Sequence, residues 1–330
     1  DRAGVLTLGR RLAIGGAALL GVLLAVLLGA YVWLDTQSGR AFVARQVAAV
    51  ALENGLNIRI GKIDGSIYGG AVLRDVQFRD PKGTFARSPE IRLDWHPFAY
   101  LTGVVDVDAL TARELNVARM PAFNVVPDRG YPLLPDLDIR IDRLRVDRIV
   151  FAKTITGEEQ VATFDGKARI ADRRAVVEAT AGSEQGDRLA LKLDAVPDDN
   201  RFDVDLKIDA PAKGLVAGLM GREVPVQAAL QGRGSWQKWD GRLTASMGAE
   251  QVADVALTAR DGTFTAKGET APAKVMADSL IVRGLSPVAL VDLSASFDQR
   301  VASIKGSVRS ASAVLGASGL VDLGQGAFDD

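Results

Sequence analysis

Few side chains in this sequence of 330 residues could carry out chemistry. It contains one histidine, His96, and no cysteine. Disulfides, iron–sulfur clusters, thiol catalysis and cysteine zinc sites are therefore excluded, and so is every metal site or motif that needs two histidines. A serine–histidine–carboxylate triad would have to use His96. A lone histidine followed by proline is typical of an exposed strand end, and we predict that His96 is not catalytic.

Ser235 and Lys238 match the S-x-x-K pattern of serine acyl-enzymes. That chemistry needs the two side chains one helical turn apart, whereas glycines flank this pair and the surrounding sequence is typical of strands. We interpret the match as chance. The neighbouring Trp236 and Trp239 are predicted to be packing or edge residues rather than a cage for a ligand.

Two pairs of carboxylates have the spacing at which side chains project from one face of a strand. Such a pair could bind calcium, but a solvated polar face is the commoner arrangement. Walker A, G-x-S-x-G and H-E-x-x-H motifs do not occur. The sequence therefore predicts no enzyme, no catalytic residue, no cofactor and no metal site. The two pairs are Asp106 with Asp108 and Asp203 with Asp205.

The composition is that of a folded chain, with 48% hydrophobic and 25% charged residues. The net charge of −1 implies no basic face, so a nucleic-acid partner has no support. Aromatic residues make up only 6%, whereas there are 34 glycines. This combination favours many short elements joined by tight turns.

The segment from Leu12 to Leu34 contains no charged residue. As a helix it would span about 34 Å, which is enough for a hydrocarbon core of about 30 Å. A cleaved signal peptide would have a shorter apolar core followed by an A-x-A-like site, which is lacking here. A helix in a protein core is rarely apolar on every face. We predict one uncleaved transmembrane helix.

The flanking residues orient this helix. Arg2, Arg10 and Arg11 precede it, so the positive-inside rule places the N-terminus in the cytoplasm and the bulk of the chain on the other side. Tyr31 and Trp33 lie at the outer end, where amphipathic aromatic side chains settle among the lipid headgroups.

A short helix is predicted to follow, from Ser38 to Asn54. Ser38 can cap its N-terminus, and Gly55 can supply a left-handed residue after its C-terminus. Apolar residues at helical spacing form one stripe on it, made of Phe42, Val43, Val47, Val50 and Ala51.

Beyond Gly55 the apolar residues recur with period two, which predicts strands with one apolar and one solvated face. Short turns between consecutive strands predict an antiparallel meander, because parallel pairing needs long crossovers. A short helix at Lys213–Met220 and a proline-rich loop at Met120–Pro135 are the predicted exceptions. The predicted turns are Asp80–Gly83, Pro197–Asn200 and Asp261–Gly262.

The apolar face of this sheet is the predicted functional surface. A barrel, a sandwich or an open trough would each cover it. Bulky aromatic residues are few and the inward set is mostly Val, Leu, Ile and Ala, which favours the trough. The residues predicted to line the groove and to contact lipid are Val76, Phe78, Leu115, Val117, Ile139, Ile141, Leu189, Leu191, Leu193, Phe202, Val204, Leu206, Ile208, Val291, Leu293 and Phe297.

The predicted fold class is mainly β, with the helices at the N-terminus. Residues 1–11 are predicted to be a cytoplasmic tail, 12–34 the transmembrane helix, 35–55 a short periplasmic helix, and 56–330 an elongated, curled, antiparallel β-groove domain.

A weak repeat is visible in the first part of that domain. In each copy a charged residue precedes an apolar-x-apolar strand core, although any alternating strand can produce such matches. A true repeat would indicate a sheet that grows unit by unit. The three copies are Leu73–Phe78, Leu110–Val117 and Leu144–Phe151.

The order of these features resembles the TamB family, the inner-membrane subunits of the translocation and assembly module, within the AsmA-like superfamily. The specific part of the resemblance covers residues 12 to about 118. The segments that carry it are the apolar segment itself, Thr36–Arg40, Gly55–Ser66, Leu73–Asp80, Ile91–Trp95 and Leu110–Val117, with a later strand-turn element at Gly232–Trp236 and Trp239–Gly241.

The resemblance implies a protein of the inner membrane whose bulk forms a periplasmic β-groove without enzymatic activity. It implies an outer-membrane Omp85-type barrel, TamA-like, as the partner. It also implies a role in outer-membrane biogenesis, by phospholipid transfer or by assembly of outer-membrane proteins such as autotransporters. The first residue is Asp1 and the family's C-terminal domain is lacking, so we expect an N-terminal fragment.

An apolar face has a physical use in this setting. Exposing a lipid chain of sixteen carbons to water costs about 13 kcal/mol, at about 0.8 kcal/mol per methylene, and an apolar groove removes most of this cost. Exposed sheet edges could instead pair with a strand of a client protein. The alternatives are a non-conducting periplasmic module that only tethers an outer-membrane partner, an AsmA-like relative that affects membrane integrity, and an anchored periplasmic enzyme.

Overall fold

A computed structural model describes residues 32–49, 55–122, 138–196, 201–235, 237–275, 287–298, 301–311, 313–322 and 327–329. The described chain is mainly β and forms one large, curled, mixed sheet of nineteen strands, which confirms the predicted fold class at this level. The helices are α1 Gln37–Ala49, α2 Lys153–Thr156, α3 Leu215–Leu219 and α4 Pro272–Val275, and Pro97–Thr102 forms a 3-10 helix.

The strands are β1 Asn57–Arg59, β2 Lys62–Gly65, β3 Gly70–Asp80, β4 Gly83–Trp95, β5 Val104–Ala112, β6 Leu115–Val117, β7 Asp138–Phe151, β8 Gln160–Ala171, β9 Arg174–Ser183, β10 Arg188–Val196, β11 Arg201–Ala210, β12 Val226–Gly234, β13 Lys238–Met247, β14 Glu250–Arg260, β15 Thr263–Thr270, β16 Ala289–Asp298, β17 Val301–Ser310, β18 Val314–Asp322 and β19 Ala327–Asp329.

The strands follow one another across the sheet in chain order. Strands β1 and β2 both pair with β3, and β5 and β6 both pair with β4 and β7, so each of these two pairs shares one position. Every later strand from β8 to β19 pairs with the strand before it. Seventeen strand positions at about 4.8 Å each make the sheet roughly 80 Å long across its strands.

The prediction of a purely antiparallel meander is wrong at one place. Strand β7 runs parallel to β5 and β6, with Leu110 opposite Leu144 and Leu115 opposite Ile149. A parallel pair needs a long crossover, and the predicted proline-rich loop supplies the length. Residues 123–137 of that connection lie outside the described residues.

The weak repeat has a structural counterpart in this parallel pair, because its second and third copies lie side by side in register. Two Asp-Arg pairs interrupt the period of two in β7. At each interruption two residues of β7 lie opposite one of β8, which is a β-bulge. Each bulge returns the next apolar residue, Leu144 or Ile149, to the same face of the sheet.

Helix α1 begins one residue earlier than predicted, at Gln37. The hydroxyl of Thr36 accepts a hydrogen bond from the backbone N–H of Gly39 at 3.2 Å, so Thr36 is the N-terminal cap in place of Ser38. Residues 50–54 of the predicted helix lie outside the described residues, and Gly55 has the expected positive φ of 85°. Beneath the helix, Ala44 is buried in a cluster with residues of β2 and β3.

The predicted membrane segment, Leu12 to Leu34, lies outside the described residues except for its last three, which are helical. Tyr31 is therefore not described, whereas Trp33 is 45% exposed and its ring lies 5.7 Å from that of Phe42. Among the helices that the structure describes, none combines the length and the apolar character needed to cross a membrane.

Helices α2, α3 and α4 lie at one end of the strands, opposite the end where α1 begins. The helix predicted at Lys213–Met220 is confirmed as α3. Its first N–H groups, at Leu215 and Val216, donate to the buried carboxylate of Asp187 at 2.7 and 3.1 Å, which ties the helix to the β9–β10 turn. The predicted turns Asp80–Gly83 and Asp261–Gly262 are also confirmed, and Pro197–Asn200 lies outside the described residues.

A buried ion pair holds the start of the crossover against the β3–β4 turn. The side chain of Asp80 is fully buried and accepts hydrogen bonds from both terminal nitrogens of Arg119, at 2.5 and 2.6 Å. The backbone N–H groups of Lys82 and Ala122 donate to the same carboxylate at 2.8 and 2.7 Å. The bonds from Arg119, above all, hold the pKa of Asp80 far below its usual value.

Replacing this carboxylate should change how stability depends on pH. A lowered pKa in the folded state stabilises the fold above pH 3.8, the usual value, and that contribution is lost as the pH falls below it. We expect Asp80→Asn to be less stable than the parent at pH 7 and to lose less stability on acidification. Urea unfolding between pH 7 and pH 3 would measure this, with the exposed Asp209→Asn as control. Parallel curves for parent and Asp80→Asn would contradict the prediction.

Candidate functional site

The register of the strands collects the apolar side chains on one face of the sheet. Residues opposite each other on neighbouring strands project from the same face. One row of such residues crosses fifteen strand positions without a polar side chain. It consists of Ala71, Leu93, Leu110, Leu144, Gly166, Ala179, Leu191, Leu206, Leu230, Leu243, Val255, Gly268, Val291, Val308 and Leu315.

The sixteen residues predicted to line the groove all lie on this face by register, which is called the apolar face below. Strand β10 places Leu189 opposite Ile208, Leu191 opposite Leu206 and Leu193 opposite Val204. On the same central strands, Phe202 is opposite Ala195.

The first part of the sheet follows the same register. Phe78 and Val117 are both opposite Ala86, and Val76 is opposite Ser88. Leu115 is opposite Ile149, and Ile139 and Ile141 are opposite Ile170 and Ala168. At the other end of the sheet, Val291, Leu293 and the backbone of Phe297 are opposite Val308, Gly306 and Ala302.

The apolar face is packed most tightly at its first part. Val76, Ile91 and Ala112 are 1%, 8% and 7% exposed and form one buried cluster. Two further clusters lie under α1 and beside α3 and α4. The leucines of the central strands, Leu191, Leu206, Leu230 and Leu243, are only half-buried. The described residues therefore leave the middle of the apolar face without a covering layer.

The opposite face of the sheet, called the outer face below, carries exposed charged side chains such as Lys192 and Lys207.

A large aromatic side chain lies across the apolar face at β12 and β13. The indole of Trp239 is 6% exposed, and lies over Gly232 and Gly241, where any added Cβ would collide with the ring. Its ring is 5.7 Å from that of Phe202 on β11, two strands away. Gly232 and Gly241 are opposite each other, and only glycine at both positions leaves room for the indole to lie flat along the sheet. The packing role predicted for Trp239 thus takes this form, and Trp236 is outside the described residues.

The outer face is lined by charges of alternating sign. Lys167 and Glu178, opposite each other, form an ion pair at 3.1 Å, and Lys267 and Asp292 form another at 3.3 Å. Exposed ion pairs of this kind add little stability and keep the outer face hydrated. A cavity of about 900 Å³ on this side has a mostly charged lining that includes Arg140, Lys167, Arg169, Asp172, Glu178 and Arg201, which does not suit an acyl chain.

The carboxylates predicted to lie on a polar face are ion-paired there. Asp203 contacts Arg201 at 3.0 Å and accepts a hydrogen bond from the N–H of Gly234, and Asp205 contacts Lys207 at 3.8 Å. Nearby, the bonds from Arg174 hold the pKa of Asp194 below its usual value. These contacts give the pairs a structural role in the sheet.

The lone histidine and the other carboxylate pair come together at the β4–β5 turn. His96 Nδ1 is 3.6 Å from an oxygen of Asp106 and 3.6 Å from an oxygen of Asp108. The three side chains could each supply one ligand to a divalent cation. The histidine and the carboxylates are separated along the sequence, and only the hairpin pairing of β4 with β5 brings them into contact, so the sequence pattern did not indicate this cluster.

The S-x-x-K match falls on the hairpin between β12 and β13. The backbones of Ser235 and Lys238 exchange two hydrogen bonds of 3.0 Å, which closes a tight turn. The Ser235 hydroxyl accepts a further bond from the N–H of Lys238. The two residues are therefore not one helical turn apart, as the acyl-enzyme arrangement requires.

Comparison of this chain with protein-family models, with curated proteins and with solved structures finds no match. The resemblance to the TamB family therefore remains a prediction from the motifs.

The half-buried leucines and the buried cluster should differ in their effect on stability. Leu206→Ala removes a side chain that is still partly in contact with water, so we expect a loss of about 1 kcal/mol in the free energy of unfolding. Ile91→Ala leaves a cavity in a packed cluster, and we expect a loss of about 2–4 kcal/mol. Urea unfolding of the two variants measures the difference. Equal losses would indicate that the centre of the apolar face is covered.

Proposed function

We propose that this chain is a membrane-anchored periplasmic scaffold that conducts phospholipid along its apolar face, in the service of outer-membrane biogenesis. The observation that carries the proposal is the apolar row from Ala71 to Leu315, which crosses fifteen strand positions and is half-buried through its centre. A soluble protein rarely leaves so long an apolar surface without a partner.

The dimensions of the face support lipid as that partner. At about 4.8 Å per strand the row extends roughly 70 Å, whereas its width is set by strands of about ten residues. A long and narrow apolar surface fits extended acyl chains along its whole length. Exposing an acyl chain of sixteen carbons to water costs about 13 kcal/mol. Passage of a lipid along the face therefore requires only that its methylenes stay buried throughout.

The two faces together define how a lipid would lie. Acyl chains would rest on leucine and valine side chains, and the headgroup would face the water at the mouth of the groove. The ion pairs of the outer face keep that surface soluble and do not compete for the chains. No side chain needs to react, so conduction makes no demand for a catalytic group.

The setting is part of the proposal. The uncharged segment Leu12–Leu34 would anchor the chain in the inner membrane, with the sheet on the periplasmic side. An Omp85-type barrel of the outer membrane, TamA-like, would be the partner at the far end. Assistance to the insertion of outer-membrane proteins is a second use of the same sheet, through strand addition at an edge.

Site-specific photo-crosslinking in cells tests conduction. A photoreactive amino acid at Leu206 or Leu293, on the apolar face, should form adducts with phospholipid. The matched controls are the adjacent Lys207 and Asp292, which are exposed on the outer face and should form none. Both members of each pair are adjacent on one strand and differ in the face of the sheet from which they project.

Absence of lipid adducts from many positions of the apolar face would overturn conduction. Adducts with a folded outer-membrane protein in their place would favour a tether, and adducts with unfolded client segments would favour assembly. Unchanged envelope integrity in His96→Ala and Ser235→Ala would argue against an anchored enzyme.

A further inference from the structure

The 3-10 helix Pro97–Thr102 presents three large apolar side chains to solvent. Phe98 is 54% exposed, Tyr100 is 62% exposed and Leu101 is 83% exposed. They fall within four residues, and residues 97–105 carry no charge. This segment between β4 and β5 is called the tip below.

The tip is held rigidly, so its exposure is a property of the fold. Gly103, with a φ of 79°, ends the helix and donates to the carbonyl of Tyr100 at 3.1 Å. The Thr102 hydroxyl bonds to the carbonyl of Ala99 at 2.8 Å. On either side, the N–H of His96 bonds to the carbonyl of Asp106, and the N–H of Asp138 bonds to the carbonyl of Gly103.

A chain of contacts connects the tip to Asp35, the first residue after the uncharged segment. The carboxylate of Asp35 accepts a hydrogen bond from the N–H of Ile67 at 3.0 Å. The indole of Trp95 donates to the carbonyl of Ile67 at 3.0 Å. The next residue, Tyr68, stacks on Phe98 at a ring distance of 5.8 Å and an interplanar angle of 7°. The tip and the end of the uncharged segment are therefore neighbours at the same end of the sheet.

We propose that the tip is a second membrane contact, which inserts Phe98, Tyr100 and Leu101 into the outer boundary of the bilayer beside the anchor. This inference rests on the proposed function, since it takes Leu12–Leu34 to be in the membrane. Tyrosine and phenylalanine at a boundary between water and lipid gain from burying their rings there, and tyrosine keeps its hydroxyl hydrated.

Two observations favour the bilayer over a protein as the occupant. The tip adjoins the residue at which an uncharged segment of membrane length ends, so a bilayer around that segment would meet the tip. The tip also lacks the charges and hydrogen-bonding side chains that usually frame a protein interface, apart from the tyrosine and threonine hydroxyls.

Insertion of the tip would align the groove with the membrane. The tip connects β4, whose Leu93 belongs to the apolar row, to β5, whose Leu110 is opposite Leu93. A tip held in the lipid boundary would bring the first strands of the apolar face to the level of the acyl chains. Lipid would then pass from the leaflet onto the face without crossing water.

The absence of cysteine allows a clean test, because one introduced cysteine is the only labelling site. The full chain is reconstituted into vesicles of phosphatidylethanolamine and phosphatidylglycerol. Leu101→Cys, Leu219→Cys and Leu23→Cys are each labelled with an environment-sensitive fluorophore, and lipids carrying a nitroxide at a shallow or a deep position serve as quenchers. Leu219 is the matched control, because it is 46% exposed on α3, at the opposite end of the strands.

The proposal expects a blue-shifted emission at Leu101→Cys and strong quenching by the shallow nitroxide. It expects no quenching at Leu219→Cys and quenching by the deep nitroxide at Leu23→Cys. Quenching at Leu23→Cys without any at Leu101→Cys would overturn the tip and leave the anchor intact. A chain that is quenched at none of the three sites would overturn the anchor, and the tip with it.

A second variant tests whether the apolar side chains of the tip hold it in lipid. Leu101→Asp places a charge on the tip without touching the packed residues. In the double variant Tyr100→Cys/Leu101→Asp, quenching of the probe should fall about tenfold or more relative to Tyr100→Cys, because a charge near the lipid boundary opposes insertion. Quenching that is unchanged by Leu101→Asp would overturn the proposal, since a tip held in lipid by its apolar side chains must respond to the charge.

Discussion

The pairing of each strand with its neighbour in a single register is the interaction on which the rest of the structure depends. Side chains alternate across a strand, so a slip of one residue would move every leucine and valine of that strand to the wrong face. The row from Ala71 to Leu315 exists because no such slip occurs over fifteen positions. The apolar face, the charged outer face and the contact of α1 with the sheet all follow from this register.

Bulges are the device that preserves this register where the sequence departs from a period of two. In β7 the pairs Asp142–Arg143 and Asp147–Arg148 each add one residue relative to β8. Without the extra residue, Leu144 and Ile149 would point to the outer face. The charged pairs also face solvent where the strand bends, so one feature serves both the geometry and the solubility of the sheet.

Much of the fold could be predicted from periodicity, and the remainder depends on contacts between distant residues. Alternation placed Leu189, Leu206 and Val291 on one face, and turn residues located the hairpins. Periodicity does not encode strand direction, so β7 was wrongly expected to be antiparallel, although the length of the preceding proline-rich loop was a usable signal. The cap at Thr36 was missed because Ser38 is an equally good capping residue two positions away. The packing of Trp239 on Gly232 and Gly241 could not be predicted, because it depends on the register between two strands.

The arrangement of the strands in chain order has a consequence for how the molecule unfolds. Each described strand shares its hydrogen bonds with the strands beside it, so the free energy of the sheet is a sum of local terms along one axis. Such a molecule frays from its ends, and a destabilising change in one hairpin lowers the stability only of strands within a few positions of it. Thermal unfolding then proceeds from strand to strand along the axis. Whole hairpins can also be gained or lost in evolution while the remaining ones keep their structure.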